Sequence, residues 1–175
     1  MTQTGESALV LPVPEAEAVV GPWRERYDPS ARLGVPAHVT VLYPFLPAHR
    51  LDAGVLGDLG ELLAAQGAFD LAFTHCGDFP GVHYLAPSAG AAARLNALTA
   101  AVAARWPEHP PYGGRFAEVV PHLTVAYHDD PGPVAAGLAP HLPLTARAEA
   151  VRLLVFDGAR WVRRADFPLS PKEPR

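Results

Sequence analysis

Six residues, His38-Val39-Thr40-Val41-Leu42-Tyr43, return later in the chain as His122-Leu123-Thr124-Val125-Ala126-Tyr127. The copies share His, Thr, Val and Tyr at matching places and differ only between apolar residues; a proline, Pro36 or Pro121, stands just upstream of each. Strand side chains alternate between faces, so a His and a Thr two apart point the same way while the flanking apolar residues point into a core. Each copy therefore offers one imidazole and one hydroxyl to a common surface. In a regular strand the tyrosine five positions after each histidine falls on the opposite, core-directed face.

The chain has 175 residues, a length that suits one compact domain with two lobes. A net charge of −4 and a pI near 6.0 argue against a partner such as duplex DNA, which needs a basic face. The single cysteine, Cys76, allows neither an intrachain disulfide nor a thiolate zinc cluster. Met1–Ser7 lacks the features of a signal peptide, and the apolar run Ala8–Val13 is too short to span a bilayer, so no membrane partner and a cytoplasmic setting are expected.

Elements follow from pattern and punctuation. A strand is expected at Ala8–Val13, a helix from Pro14 to Tyr27, a loop at Asp28–Pro36 and a motif strand at Ala37–Leu46. A helix at Leu51–Gln66 follows from apolar residues three and four apart, with Gly67 as its cap. Phe69–Phe79 and Val82–Pro87 read as a hairpin through Pro80-Gly81, and Ser88–Trp106 as an Ala-rich helix that Ser88 caps. Pro107–Gly114 is a loop, Ala117–Tyr127 the second motif strand and Pro133–Pro140 a short helix. Leu144–Phe156 then pairs with Ala159–Leu169 across Asp157-Gly158. The order strand, helix, motif strand, helix, strand thus runs twice, over about 8–79 and 82–156, with a closing hairpin to 169. That duplication predicts an α+β fold: a bilobal, pseudo-symmetric molecule whose antiparallel sheets flank a central groove, with helices packed outside.

Two imidazoles on either side of one phosphorus divide the work of a displacement: one takes a proton from the attacking oxygen, the other protonates the leaving oxygen. Threonine hydroxyls donate to the non-bridging oxygens. His38, Thr40, His122 and Thr124 are the candidate catalytic residues. The scheme needs no metal and no cofactor. His128 with Asp129 and Asp130 lacks a fixed ligand geometry, and no glycine pattern marks an ATP site.

These motifs, within VPAHVTVLYPF and YGGRFAEVVPHLTVAY, resemble the two-histidine (2H) phosphoesterase superfamily, which includes bacterial 2′-5′ RNA ligase and cyclic phosphodiesterase proteins. The resemblance covers most of the chain. It implies metal-independent chemistry on 2′,3′-cyclic phosphates or 2′-5′ phosphodiester links, with His38 and His122 as the acid/base pair and Thr40 and Thr124 orienting the phosphate. The partner it implies is a small nucleotide or an RNA end carrying a cyclic phosphate, bound by a monomer. A nucleotide-binding module without turnover and an RNA ligase are the competing readings.

Candidate substrate-binding residues are Tyr43, Phe45, Tyr112, Arg115 and Tyr127. Phe45 and Tyr112 are of a type that stacks on bases, and Arg115 follows a Gly113-Gly114 loop within reach of a phosphate. Arg160, Arg163 and Arg164 read as a solvated face of the closing hairpin.

Overall fold

The computed structural model describes residues 2–171. Among these residues, eight strands form two antiparallel four-stranded sheets. The first has the order β2 (His38–Leu42), β1 (Ser7–Pro12), β7 (Ala150–Phe156) and β8 (Trp161–Pro168). The second runs β5 (Leu123–Tyr127), β4 (Val82–Pro87), β3 (Phe69–Phe79) and β6 (Leu144–Ala148). The pseudo-symmetry lies in that order: each sheet has a motif strand at one edge and, next to it, the strand that opens its half of the chain. The third place in each sheet goes to a strand from the other half. β3, which ends the stretch 8–79, pairs with β4, and β7, which ends 82–156, pairs with β1.

Helices cover the sheets. α1 (Glu17–Tyr27) packs on β5, α3 (Ala53–Ala64) on β8, and α4 (Ala89–Arg105) on β2 and β3. Two of the starts have a local cause: the Asp52 carboxylate accepts from the Val55 amide at 2.9 Å, and the Ser88 hydroxyl from the Ala91 amide at 3.3 Å. A contiguous core runs between sheets and helices, with Leu9, Leu11, Val39, Leu71, Phe73, Leu85, Leu123 and Leu153 fully enclosed. Among the described residues no helix is long and apolar enough to cross a membrane.

Several boundaries differ from the sequence expectation. The motif strands are short: β2 stops at Leu42 rather than 46, and β5 starts at Leu123 rather than 117. Residues 116–120 stay largely exposed because the ladder with β4 ends where Leu85 meets Leu123. The segment 28–36 holds a helical turn, α2 (Pro29–Arg32), which begins where the Asp28 carboxylate accepts from the Ser30 amide. Gly67 does not cap α3; Ala65 ends that helix, and Gly67 forms a bridge with Ser170 instead. The single strand expected at 144–156 is two, because the chain crosses from the second sheet to the first at Glu149. The turn after β7 is four residues, 157–160, closed by the Asp157 carboxylate accepting from the Ala159 and Arg160 amides, both at 2.9 Å.

Candidate active site

The two edge strands β2 and β5 meet, and His38, Thr40, His122 and Thr124 line one cleft of about 340 Å³ between them. Tyr43, Tyr112 and Tyr127 line it too, as do Asp28, Ser30 and the ring of Trp161. Its floor on the first sheet is apolar, formed by Ala8, Val10 and Leu154. The register accounts for this face, since Val10 sits directly opposite Thr40.

The tyrosines reach the cleft because both motif strands carry a β-bulge at the same place. Leu9 and Val10 are consecutive yet pair with Leu42 and Thr40, leaving Val41 as the extra residue. In β5, Val125 is the extra residue, since His83 and Tyr84 pair with Ala126 and Thr124. Val41 and Leu42 both turn into the core, as do Val125 and Ala126. One extra residue reverses the alternation, so Tyr43 and Tyr127 lie on the histidine face and not on the core-directed face expected of a regular strand. In β2 the carbonyl of Val41 accepts from the Thr99 hydroxyl of α4 at 2.7 Å.

The imidazoles are held alike. His38 Nδ1 lies 2.8 Å from the carbonyl of Pro36, and His122 Nδ1 lies 2.8 Å from that of Val120, in each case two residues upstream. A carbonyl only accepts, so Nδ1–H donates and Nε2 is the nitrogen left for chemistry. Burial is the main reason both histidines titrate low, with His38 brought down to about 4. The Pro36 carbonyl and the Asp28 carboxylate oppose that drop at His38, whereas Arg24 and His122 add to it. His122 also rests against aromatic rings, Phe79 at 5.1 Å and Tyr84 at 5.4 Å between centroids. Tyr84 lies across Gly77, its register partner, where a side chain would collide with the ring.

Behind His38 sits a buried ion pair. Arg24 Nε donates to Asp28 Oδ2 at 3.1 Å, and both side chains are almost wholly enclosed. The guanidinium also donates to the Val35 carbonyl and the Ser30 hydroxyl, while Asp28 accepts from the Ser30 amide and hydroxyl. Arg24 is thus spent on internal partners, and no lysine or arginine is among the described residues that line the cleft.

Tyr43 donates to the Glu6 carboxylate at 2.6 Å; burial and that carboxylate push its phenol up to about 12. The Tyr112 amide donates to the Tyr43 carbonyl at 2.6 Å, which ties the loop before β5 to the end of β2. Tyr112 itself has φ 52°, a left-handed conformation costly for a residue with a side chain. Its phenol interacts with the Thr40 hydroxyl. Burial raises the titration of Tyr112.

Two sequence candidates fall elsewhere. Phe45 is buried, edge-to-face on Trp106 at 5.2 Å, because its amide donates to the Ser7 carbonyl and folds the segment after β2 inward. That ring is core and is not free to stack on a base. Arg115 is exposed on the outer side of the Tyr43–Tyr112 wall, with Glu6 and Phe116. Sequence reasoning missed Arg24, Asp28, Ser30, Phe79, Tyr84 and Trp161. For the first three the sequence offers only an arginine four residues before an Asp-Pro-Ser turn.

A family model, that of the 2′-5′ RNA ligase superfamily, matches residues 12–160. The chain belongs to that superfamily. No curated protein matches it. Among solved structures, E. coli LigT complexed with 3′-AMP is similar at a TM-score of 0.62 and 15% identity, over 95% of this chain and 99% of that one. TT0787 of Thermus thermophilus gives 0.60 and 19%, over 93% and 97%. Usb1 of Kluyveromyces marxianus gives 0.54 and 14%, over 95% and 99%. At these identities the likeness is one of fold: the α+β arrangement of this superfamily member is that of LigT.

Proposed function

We propose that the chain is a metal-independent phosphodiesterase that opens a 2′,3′-cyclic phosphate, on a nucleotide or an RNA end, and acts on 2′-5′ links by the same chemistry. One observation carries the reading: two imidazoles with identically pinned Nδ1 atoms line one cleft, each beside a threonine two residues on. In hydrolysis, Nε2 of one neutral histidine takes a proton from water as its oxygen attacks phosphorus. The bond from phosphorus to one ribose oxygen breaks, and Nε2–H of the other, protonated histidine supplies that oxygen's proton. With the 3′ oxygen leaving, the product is a 2′-phosphate.

The Nδ1–H bond to a carbonyl persists in both protonation states, so neither ring reorients as the proton passes. The Thr40 and Thr124 hydroxyls donate to the non-bridging oxygens as charge builds there. With a 5′-hydroxyl attacking in place of water and the 3′ oxygen again leaving, the same pair joins two ends through a 2′-5′ link. One copy supplies both histidines, so a monomer of this two-lobed chain suffices for the reaction. That a similar protein has been solved with 3′-AMP fits a nucleotide ligand.

The test is incubation with cyclic mononucleotides and a cyclic-phosphate-ended oligonucleotide in EDTA, followed by phosphorus NMR. Conversion to phosphomonoester is expected, abolished in His122→Ala. No turnover of any cyclic phosphate by the wild type would overturn the reading.

A further inference from the structure

The exposed large hydrophobic side chains of the described residues are not scattered. They are Phe116, 62% exposed, Tyr127, 52%, and Val120, 47%, and all three line one recess of about 580 Å³. Phe79 and Tyr112 complete the wall, and Tyr112, His122, Thr124 and Tyr127 face both this recess and the cleft. The recess is therefore the continuation of the cleft on the His122 side. Apolar surface left to water next to a polar reaction site marks a place that a ligand covers.

The lining also narrows what that ligand is. Among the described residues no lysine, arginine, asparagine or glutamine lines the recess, and the one carboxylate in it is Glu118. A second phosphate would meet a carboxylate and no lysine or arginine. An uncharged aromatic ring would meet the rings of Phe116 and Tyr127 on its faces, an interaction that every base can make. A carboxylate accepts and does not donate. It suits a base edge with N–H donors: guanine presents two side by side, adenine and cytosine one amino group each, and uracil one N–H between two carbonyl oxygens.

We propose that this recess seats the nucleobase of the substrate, stacked on Phe116 and Tyr127, and that Glu118 sets a preference for guanine and against uracil. The inference builds on the cyclic-phosphate reading and names the substrate's other half. Phe116 and Glu118 are then specificity residues, placed beyond the reacting atoms.

Calorimetry with guanosine 2′-phosphate, uridine 2′-phosphate and the 2′-phosphate of methyl riboside tests it through binding alone. The wild type should hold guanosine 2′-phosphate at least about tenfold tighter than the base-free compound. Phe116→Ala should lose most of that advantage, and Glu118→Ala should bring guanosine level with uridine. Both side chains are on the surface, so the variants test recognition and leave the core intact. Equal affinity of the wild type for the three compounds, or an unchanged order in both variants, would overturn the assignment. Turnover of the matching cyclic phosphates separates the two claims. Base-dependent binding with no turnover removes the catalytic reading and keeps the recess; turnover indifferent to the base removes the recess and keeps the catalysis.

Discussion

Acid should destabilise this protein through His38. In the folded chain His38 titrates at about 4, against 6.5 for a free imidazole, chiefly because it is buried. Between those values the unfolded chain binds a proton that the folded chain refuses, so each step down in pH favours unfolding. The His38 contribution is complete above pH 6.5 and falls until the folded-state value is reached. At about 1.36 kcal/mol per unit, the drop amounts to roughly 3 kcal/mol, a large part of the ~5–15 kcal/mol that holds a domain together. The assay is urea unfolding followed by tryptophan fluorescence at pH 7, 6, 5 and 4, on the wild type and His38→Gln. Carboxylates titrate in both proteins, and so does His122, whose value burial also lowers; the comparison therefore isolates His38 together with its coupling to His122. The wild type should lose about 3 kcal/mol more than the variant between pH 7 and pH 4. Parallel stability curves would refute the argument that His38 is held neutral by its surroundings.

The same lowering fixes the direction of the rate profile. One histidine must be neutral and the other protonated, and both titrate low in the free protein, so kcat/KM should peak on the acid side of pH 6.5 and decline toward alkaline pH as the protonated form is lost. A peak at alkaline pH would contradict this. Arg24→Met leaves Asp28 buried without its partner and should cost about 3–5 kcal/mol in denaturant unfolding, far more than Arg115→Met on the surface. Thr99→Val removes the donor that satisfies the Val41 carbonyl and should cost about 1–3 kcal/mol, measured by urea unfolding. Gly77→Ala drives a methyl into the ring of Tyr84; thermal melts should show destabilisation of about 1–3 kcal/mol and kinetics a loss of activity, which Gly57→Ala, facing open space, should not produce.

Much of this site was legible because its chemistry sits in a repeated local pattern. His-x-Thr placed the imidazole and hydroxyl on one strand face whatever the rest of the chain did, and two copies in matched surroundings implied two facing edges. The tyrosines were not legible. Val41-Leu42 and Val125-Ala126 look like ordinary strand sequence, and nothing in them announces that both residues of each pair turn inward. Phe45 misled for a related reason: an aromatic after a motif strand resembles a base platform until the backbone bond to Ser7 folds it into the core. Glu149 hid the crossing between sheets because a strand that changes partners within one residue needs no glycine or proline. Arg24 and Asp28 went unnoticed because their meaning lies in burial, which an i,i+4 charge pair on a helix does not ordinarily suggest.

The repeated bulge links the fold's weak point to its function. β2 and β5 are edge strands, each with one side unpaired, and such edges invite unwanted pairing unless something interrupts them. An extra residue at the third position after each histidine interrupts both, twisting the strand as it ends. The same residue turns the following tyrosine onto the histidine face. The device that ends the ladder therefore also supplies the aromatic wall of the cleft, and it has to occur in both halves because each half presents its own edge. A strand without it would keep His and Thr in place yet send its tyrosine into the core, and the cleft would lose that part of its wall.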